Sequence, residues 1–385
     1  MVSDDLQFGF KSHLGCSNAI FLLRRVISHF TDRQSNVYIA SLDASKAFDR
    51  VNHYKLFSTL IKLNLPEFFI DTIINWYSRL SVNIRWCDSY STSLRILSGV
   101  RQGGVLSPTL FNIYIDPMIK TLRKSDIGCH MYNMFAGCIM YADDLVLLSA
   151  SVFDLQNMID ICNSVANDLS IVFNIKKSKC ISIGPISNLL PAPILIDATP
   201  LEWSQNITYL GINILSDKVF KINLEDIRRK FFVSVNSILS KCNYTSDTVK
   251  LSLMESHCLP ILLYATESLN LPSSQVKEIN SWWNSVYRKI FGYNKWESVK
   301  YLILMLGRLD IYHIINQRSI IFMVRMLHND SNSLFIETLM KSYSQIGEYN
   351  SLFDLSDCKD YWSVGKLKAA QRSAFKTLVM AKLRA

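Results

Sequence analysis

The amino-acid sequence predicts an α+β fold in which an antiparallel sheet is followed by a long helical region. Two apolar runs, Cys138–Met140 and Leu145–Leu148, flank a short polar turn and predict a β-hairpin. Strand and helix patterns alternate over residues 37–185, whereas helical periodicity dominates from about residue 222. Because 49% of the 385 residues are hydrophobic and 19% are charged, the composition excludes a largely disordered chain.

The first predicted elements are a helix and a buried strand. Residues Val37–Leu42 are rich in β-branched and aromatic side chains, and this strand ends at Asp43. A further helix is expected from Lys46 onward. Within residues 1–36, apolar side chains recur with helical spacing and predict a face that docks on a sheet: Ala19, Leu22, Leu23, Val26 and Ile27.

The later elements follow from proline positions and apolar periodicity. Proline suits the first turn of a helix, and short β-branched runs suit strands. The predicted helices cover Pro66 to about Leu80, Thr109–Leu122 and Val152–Leu169. The predicted strands are Ile171–Ile175 and Cys180–Ile183, followed by a surface loop at Asn188–Pro200 and a hairpin at Ile207–Ile214.

Positive charge is concentrated toward the C-terminus. The formal net charge is +9, and residues 217–385 contain 23 Lys+Arg against 15 Asp+Glu, an excess of 8. This asymmetry favours a phosphate-binding surface, and a solvated basic face is the plainer alternative. One helical face in this region carries Trp282, Trp283, Tyr287 and Phe291, a spacing that favours helix core over base stacking.

Cysteine spacing and hydropathy restrict the class of protein. The nine cysteines include no Cys-x-x-Cys pair, so neither a zinc site nor a disulfide framework is predicted. The acidic N-terminus is not followed by a signal-type apolar core, which predicts an intracellular protein, nuclear or cytoplasmic. Charged residues interrupt the apolar stretch Tyr301–Val324, so we predict no membrane association.

Acidic residues lie at two predicted strand ends. Asp143 and Asp144 occupy the hairpin turn, and Asp43 ends the earlier strand. An Asp-Asp pair in a turn is ordinarily a solvated turn. Carboxylates that converge on one point need a compensating cation, and oxygen ligands of this kind select Mg²⁺ or Mn²⁺. Convergence itself is not visible in the sequence.

Three segments occur in the order found in one known family. Leu42–Asp49, Ser98–Pro108 and Tyr141–Asp144 resemble the core motifs of reverse transcriptases from non-LTR retrotransposons. The resemblance spans residues 7 to about 215. Other segments resemble further motifs of that family: Gln7–Lys11 its last fingers motif, Phe173–Ser178 its lysine-bearing palm motif, Tyr209–Gly211 its primer grip and Leu259–Tyr264 the start of its thumb.

The resemblance implies a right-hand polymerase fold with truncated fingers, an α/β palm around an antiparallel sheet, and a helical thumb. It implies that residues 1–36 are a residual fingers segment and residues 37–185 the palm. Residues 186–221 would carry a connecting loop and the primer-grip hairpin, and residues 222–385 the helical thumb and C-terminal region. Family members have more fingers sequence before this motif, so we expect an N-terminally truncated copy.

The resemblance also implies the catalytic residues. Asp43 and Asp143 correspond to the metal ligands of the family, and the backbone carbonyl of Ala44 would complete the shell. Asp144 corresponds to the second turn carboxylate, whose charge supports the site. The implied cofactor is a pair of Mg²⁺ ions, or Mn²⁺, about 3.5–4 Å apart.

Five residues are implied in contacts with the nucleotide or the template. Gln102 and Gly103 lie in a glycine-rich turn that approaches a base pair. Lys177 aligns with a lysine near the leaving pyrophosphate, and a solvated loop lysine is the alternative. Arg101 and Lys11 would contact the triphosphate.

Phe48 corresponds to the aromatic gate that rejects a ribose 2′-hydroxyl, and core packing is its plain alternative.

The first functional hypothesis that the resemblance implies is an RNA-directed DNA polymerase that uses an RNA template, a DNA primer and deoxynucleoside triphosphates. The alternative is an inactive retrotransposon remnant that binds RNA or RNA–DNA duplex. RNA-directed RNA synthesis is disfavoured by Phe48, and the oligomeric state stays open.

Overall fold

The computed structural model describes residues 3–186 and 191–327 of the chain. The chain divides into two compact units, one over residues 1–222 and a second that begins at Asn223. Part of the predicted loop (187–190) and part of the predicted C-terminal region (328–385) lie outside the described residues. The helices of the first unit are α1 (Cys16–Thr31), α2 (His53–Lys62), α3 (Glu67–Ser78), α4 (Ser107–Ser125) and α5 (Val152–Asp168), with a 3-10 turn at Phe48–Arg50.

The strands of the first unit form one central sheet and several short ribbons. They are β1 (Val37–Asp43), β2 (Ser81–Val82), β3 (Arg85–Trp86), β4 (Ser89–Tyr90), β5 (Leu94–Arg95), β6 (His130–Met131), β7 (Met134–Phe135), β8 (Cys138–Tyr141), β9 (Asp144–Ser149), β10 (Lys179–Ile183), β11 (Leu195–Ile196), β12 (Thr199–Pro200), β13 (Glu202–Trp203), β14 (Asn206–Tyr209), β15 (Ile212–Leu215) and β16 (Lys221–Ile222).

The central sheet has five strands in the order β13-β10-β1-β9-β8. β1 pairs antiparallel with β9 and β10, β8 pairs antiparallel with β9, and the short β13 pairs parallel with β10. Helix α1 packs against β1 and β8, and α5 packs against β1 and β9. Four consecutive residues of β9, Leu145–Leu148, are at most 1% exposed. A strand with no exposed apolar side chain is typical of a sheet covered on both faces.

The predicted helices at Pro66, Thr109 and Val152 are confirmed as α3, α4 and α5, and the predicted hairpin at Cys138–Leu148 is confirmed as β8–β9. The helix expected from Lys46 onward is wrong. Lys46 has a φ of +51°, a backbone conformation that interrupts a right-handed helix. α2 instead starts at His53, where the side chain of Asn52 accepts a hydrogen bond from the Lys55 amide at 3.1 Å.

Two further predictions about connecting segments need correction. The predicted strand Ile171–Ile175 is wrong, because only Phe173 forms a bridge, with Ala44. The predicted loop at Asn188–Pro200 contains the paired strands β11 and β12. Asp197 and Ala198 both have positive φ between these strands, as in the tight turns that close short hairpins.

The second unit is helical as far as residue 327. Its helices are α6 (Glu225–Lys241), α7 (Asp247–His257), α8 (Leu259–Leu262), α9 (Thr266–Leu269), α10 (Ser273–Phe291), α11 (Lys300–Met305) and α12 (Ile311–Leu327). Trp282, Trp283 and Tyr287 of α10 are at most 8% exposed, which confirms the prediction of helix core. Trp283 meets Tyr287 edge to face at 5.7 Å between ring centroids. None of the described helices combines the length and hydropathy needed to cross a membrane.

Candidate active site

The hairpin between β8 and β9 presents the adjacent acids. The register pairs Tyr141 with Asp144, which leaves Ala142 and Asp143 as a two-residue turn. Ala142 is buried and has a φ of +55°, in the left-handed region that residues with a side chain rarely adopt. The direction of the Asp143 side chain therefore depends on an unfavourable backbone conformation that the surroundings must hold.

The strand register brings a third acid to the same end of the sheet. β1 and β9 pair so that Asp43 lies directly opposite Asp144. Side chains of directly opposed residues share one face of a sheet, with Cβ atoms typically about 4.5–5.5 Å apart. The structure therefore brings Asp43 and Asp144 together, with Asp143 in the adjoining turn.

Backbone hydrogen bonds hold Asp43 on both sides. The Asp43 amide donates to Oγ of the buried Ser178 at 3.1 Å, and the Asn174 amide donates to the Asp43 carbonyl at 2.7 Å. The Ser45 amide donates to the Val172 carbonyl at 2.9 Å. These bonds bracket the Ala44–Phe173 bridge and do not use the carbonyl of Ala44. Ser178 was not predicted as a site residue, although it lies in the lysine-bearing motif.

Burial and neighbouring charge raise the proton affinity of both acids of the hairpin, Asp143 and Asp144. Partial burial, together with the charges of Asp143 and Asp43, raises the pKa of Asp144 to about 6. Partial burial and the charge of Asp43 also raise the pKa of Asp143. Lys177 is the nearby cation, with its Nζ 3.7 Å from Oδ2 of Asp43 and 68% of its side chain exposed. One exposed lysine does not neutralise three carboxylates.

The acids fit a hard divalent cation by chemistry, because they supply oxygen ligands and uncompensated negative charge. They are not closed into a ready-made ligand cage. Over residues 3–186 and 191–327, no three His, Cys, Asp or Glu side chains form a group that could hold a metal ion.

Phe48 lies in an aromatic row between Phe10 and Phe111. Its ring stacks on the fully buried Phe111, with centroids 4.2 Å apart and an interplanar angle of 12°. Phe10 meets the Phe48 ring edge to face, with ring centroids 6.0 Å apart, and is 52% exposed. Phe48 is half-buried, so part of its ring faces solvent. Its contacts are those of a packed side chain with one accessible edge.

The glycine-rich turn is bonded to the segment that carries Phe48. The Gly99 amide donates to Val51 and the Val100 amide to Phe48, both at 2.8 Å. Gly99 has a φ of +91°, and a Cβ there would lie 2.9 Å from the Asp49 carbonyl oxygen. The absent side chain thus allows close approach of the chain's own backbone at Gly99. Three of the five residues predicted to contact the nucleotide or the template lie in this turn and are exposed: Arg101, Gln102 and Gly103.

Lys11 is not brought together with the three acids. Its ammonium donates to the carbonyl oxygens of Ser3, at 3.0 Å, and Asp4. Burial lowers the pKa of Lys11, and the carboxylates that oppose this effect are Asp5, Asp4 and Asp116. In this arrangement Lys11 stabilises the N-terminal segment.

Two residues beside the hairpin were not identified as site residues. The hydroxyl of Tyr209, in the predicted primer-grip motif, is buried and has no hydrogen-bond partner within the described part of the chain. Burial raises the pKa of Tyr209, and the charge of Asp144 adds to this effect. Gln7 is 1% exposed and its side-chain amide bonds to Ala142 of the acidic turn. Its only sequence signal is a position in the motif at Gln7–Lys11.

Comparisons with known proteins agree with this geometry. Residues 1–214 match the family described as reverse transcriptase (RNA-dependent DNA polymerase). The Pol polyprotein of the type-2 retrotransposable element R2DM from Drosophila melanogaster is 33% identical over 239 residues, covering 59% of this chain and 22% of that protein. The Pol polyprotein of a type-1 element R2 from Popillia japonica is 27% identical over 271 residues, covering 66% of this chain and 43% of that protein.

The chain thus spans about a fifth to two fifths of the length of these curated relatives. Among solved structures, apo telomerase from Candida tropicalis matches with a TM-score of 0.41 and 14% identity, over 84% of this chain and 56% of that chain. The predicted resemblance to non-LTR retrotransposon enzymes is confirmed by the named relatives. Because the family match covers more than half of its residues, this chain belongs to the reverse transcriptase family.

Proposed function

We propose that this chain is an RNA-directed DNA polymerase that extends a DNA primer on an RNA template. The observation that carries the proposal is the strand register that sets Asp43 opposite Asp144, with Asp143 in the adjoining turn. A 26% identical relative from Drosophila melanogaster is named as a probable RNA-directed DNA polymerase from transposon X-element. Deoxynucleoside triphosphates are the proposed substrates.

In this proposal Asp43 and Asp143 hold two divalent cations, Mg²⁺ or Mn²⁺, with help from the Ala44 carbonyl. When bound, such ions lower the pKa of the primer 3′-hydroxyl and neutralise the triphosphate. Asp144 contributes negative charge next to both ligands. Partial burial, together with neighbouring carboxylate charge, raises the pKa of Asp143 and Asp144, which supports this assignment because a divalent cation would stabilise their ionised forms.

The reaction forms a bond between the primer 3′-oxygen and the α-phosphorus and breaks the bond from that phosphorus to the pyrophosphate oxygen. Lys177, adjacent to Asp43, would neutralise the leaving pyrophosphate or donate a proton to it. Phe48 would exclude a 2′-hydroxyl with its accessible edge. The exposed side chains of Arg101 and Gln102, and the open space at Gly103, suit contacts with the incoming nucleotide and template.

The proposed division of labour follows the family. Residues 1–36 would act as a residual fingers segment, residues 37–185 as the palm, residues 186–221 as the loop and primer grip, and residues 222–385 as the thumb and C-terminal region. Lys11 is left out of the proposed triphosphate contacts, because its ammonium is bonded to the backbone of Ser3 and Asp4.

The test is primer extension by the 385-residue chain on an RNA template with deoxynucleotides and Mg²⁺. Asp143→Asn is compared with Asp88→Asn, which removes an exposed acid from the turn between β3 and β4. We expect Asp143→Asn to lower the rate by about 10²-fold or more, since little else would stabilise the developing charge. Asp88→Asn should behave like the parent, and duplex affinity should be unchanged in both variants.

Two outcomes of the primer-extension test would contradict this proposal. Full extension by Asp143→Asn would refute the assignment of the active site. Salt-sensitive duplex binding without extension by the parent would refute the activity and support the binding remnant instead.

A further inference from the structure

The turn at Ala142–Asp143 is held from outside the hairpin. Within β8–β9, the ladder pairs Tyr141 with Asp144 and leaves the peptide groups of Ala142 beyond its last pair. Ala142 is buried, so its amide and carbonyl need partners within the protein. Both partners come from one side chain, that of Gln7.

The Gln7 amide pairs with the Ala142 backbone as a neighbouring strand would. The Ala142 amide donates to Gln7 Oε1 at 2.9 Å, and Gln7 Nε2 donates to the Ala142 carbonyl at 3.1 Å. Gln7 Oε1 also accepts from the Gly9 amide at 2.8 Å. Two backbone donors converge on one side-chain atom, so that atom must be the amide oxygen and the orientation of the Gln7 amide is determined.

The segment around Gln7 is itself bonded to the edge of the sheet. The Phe8 amide donates to the Met140 carbonyl at 2.8 Å, and the Met140 amide donates to the Leu6 carbonyl at 2.9 Å. Gln7 is therefore a parallel bridge partner of Met140, two residues before Ala142. The backbone of Gln7 is fixed independently of its side-chain amide.

Gly9 completes the contact with the turn. A Cβ on Gly9 would lie 2.4 Å from the Ala142 amide nitrogen, a distance at which backbone must move. The Asn112 side chain donates to the Gly9 carbonyl at 2.8 Å and ties this residue to α4. The turn therefore packs directly against the backbone of Gly9, which is itself hydrogen-bonded to α4.

We propose that Gln7 is a positioning residue, whose side-chain amide holds Ala142 in its left-handed conformation and thereby aims the Asp143 carboxylate for divalent cation binding. This inference rests on the proposed function, because it assigns Asp143 as a metal ligand. Gln7 touches neither substrate nor metal. Its loss leaves two buried peptide groups of Ala142 unpaired, and the turn relaxes to satisfy them.

The test compares Gln7→Leu and Gln7→Glu with a matched control. Leucine removes both hydrogen bonds, whereas glutamate keeps the size and the acceptor but loses the donor to the Ala142 carbonyl. Gln156 pairs with the backbone of Leu195 in the same way, accepting from its amide at 2.8 Å and donating to its carbonyl at 2.9 Å. Gln156→Leu therefore removes a pair of bonds of the same geometry, at a more exposed position away from the acids.

Three measurements separate positioning from general stability. Mn²⁺ affinity is measured on the full chain from the electron paramagnetic resonance signal of free Mn²⁺, without nucleotide. Primer extension gives kcat and KM, and fluorescence anisotropy gives the Kd for a labelled RNA–DNA duplex. For both Gln7 variants we expect Mn²⁺ affinity and kcat to fall about tenfold or more, while duplex Kd and the values for Gln156→Leu stay within about twofold of the parent.

The inference is overturned if both Gln7 variants bind Mn²⁺ and turn over like the parent, even if their Tm falls. Gln7→Glu keeps the test decisive if Gln7→Leu does not fold, because it preserves side-chain volume. A parent that binds Mn²⁺ but extends no primer would refute the proposed function, and the Mn²⁺ titration would still decide the role of Gln7. A parent that binds no Mn²⁺ would overturn both.

Discussion

Replacing Asp144 with asparagine should stabilise the metal-free protein, although it alters a residue of the proposed active site. Three carboxylates lie together at the end of the central sheet, and their mutual repulsion opposes folding. The pKa of Asp144 is raised from 3.8 to about 6 by partial burial and by the charges of Asp143 and Asp43. A carboxyl group that binds its proton more tightly in the folded state destabilises the fold once it is ionised.

The sign and the magnitude follow from this rise in pKa. The stability of the parent falls as the pH increases from about 4 to about 6 and stays reduced above that range. A rise from 3.8 to about 6 corresponds to about 3 kcal/mol without screening. Asp144 is only partly buried and much of its surface is open to water, so solvent screening reduces the effect to about 1 kcal/mol. For a unit of this size, that change raises Tm by about 2–4 °C.

The assay is thermal unfolding in EDTA at about pH 7.5, repeated at about pH 5, with Asp88→Asn as the matched control. At pH 5 the folded parent already carries a proton at Asp144, so the advantage of the variant should fall to about half. Saturating Mg²⁺ should raise the Tm of the parent more than that of Asp144→Asn, because binding to the folded state stabilises it.

The Tm of Asp144→Asn in EDTA decides whether this prediction holds. If Asp144→Asn unfolds at or below the Tm of the parent in EDTA, while Asp88→Asn is neutral, the three acids do not repel one another as their arrangement implies.

Three further outcomes are expected. Phe48→Ala should raise ribonucleotide incorporation in primer extension. It should also lower the free energy of unfolding by about 2 kcal/mol, because the stack of Phe48 on Phe111 is lost. Unchanged sugar selectivity would contradict the assignment of Phe48 as a steric gate. Gly99→Ala should destabilise the protein by about 2 kcal/mol more than Gly103→Ala in urea denaturation. Both glycines have positive φ, but only Gly99 has backbone within 3 Å of a new Cβ; equal losses would show that the contact is immaterial. Ser178→Ala should cost about 1 kcal/mol in the same assay, because the partly buried amide of Asp43 loses its acceptor. Ser45→Ala is the control, and equal stability of both variants would contradict this role.

Local sequence patterns were sufficient to predict the helices and strands that have a strong hydrophobic periodicity or a clear motif. The reverse transcriptase family, the helices α3, α4 and α5, and the β8–β9 hairpin were all predicted from motifs or periodicity in the sequence. The failures occur where a local signal is weak. The segment after Lys46 contains good helix formers, but a left-handed residue interrupts it, and Ile171–Ile175 is apolar without a strand partner beyond one bridge.

Site residues divide in the same way. Asp43, Asp143 and Asp144 are visible in the sequence as acids at two predicted strand ends, and the family motifs distinguish them from acids of ordinary solvated turns. Gln7 and Ser178 are not visible as site residues, because their roles are hydrogen bonds to residues 135 positions away in each case. A buried glutamine or serine has no chemical signature until its partners are known.

Residue type, and neighbours within one helix or strand, were sufficient to indicate the family, the acids and the order of the elements. Only the tertiary structure decided that β1 pairs with β9 in a register that sets Asp43 against Asp144. It also decided that Gln7 holds Ala142, and that Lys11 bonds the N-terminal backbone. Register and long-range hydrogen bonds arise from the packing of the whole first unit, and a single segment carries no information about which distant backbone group will face it.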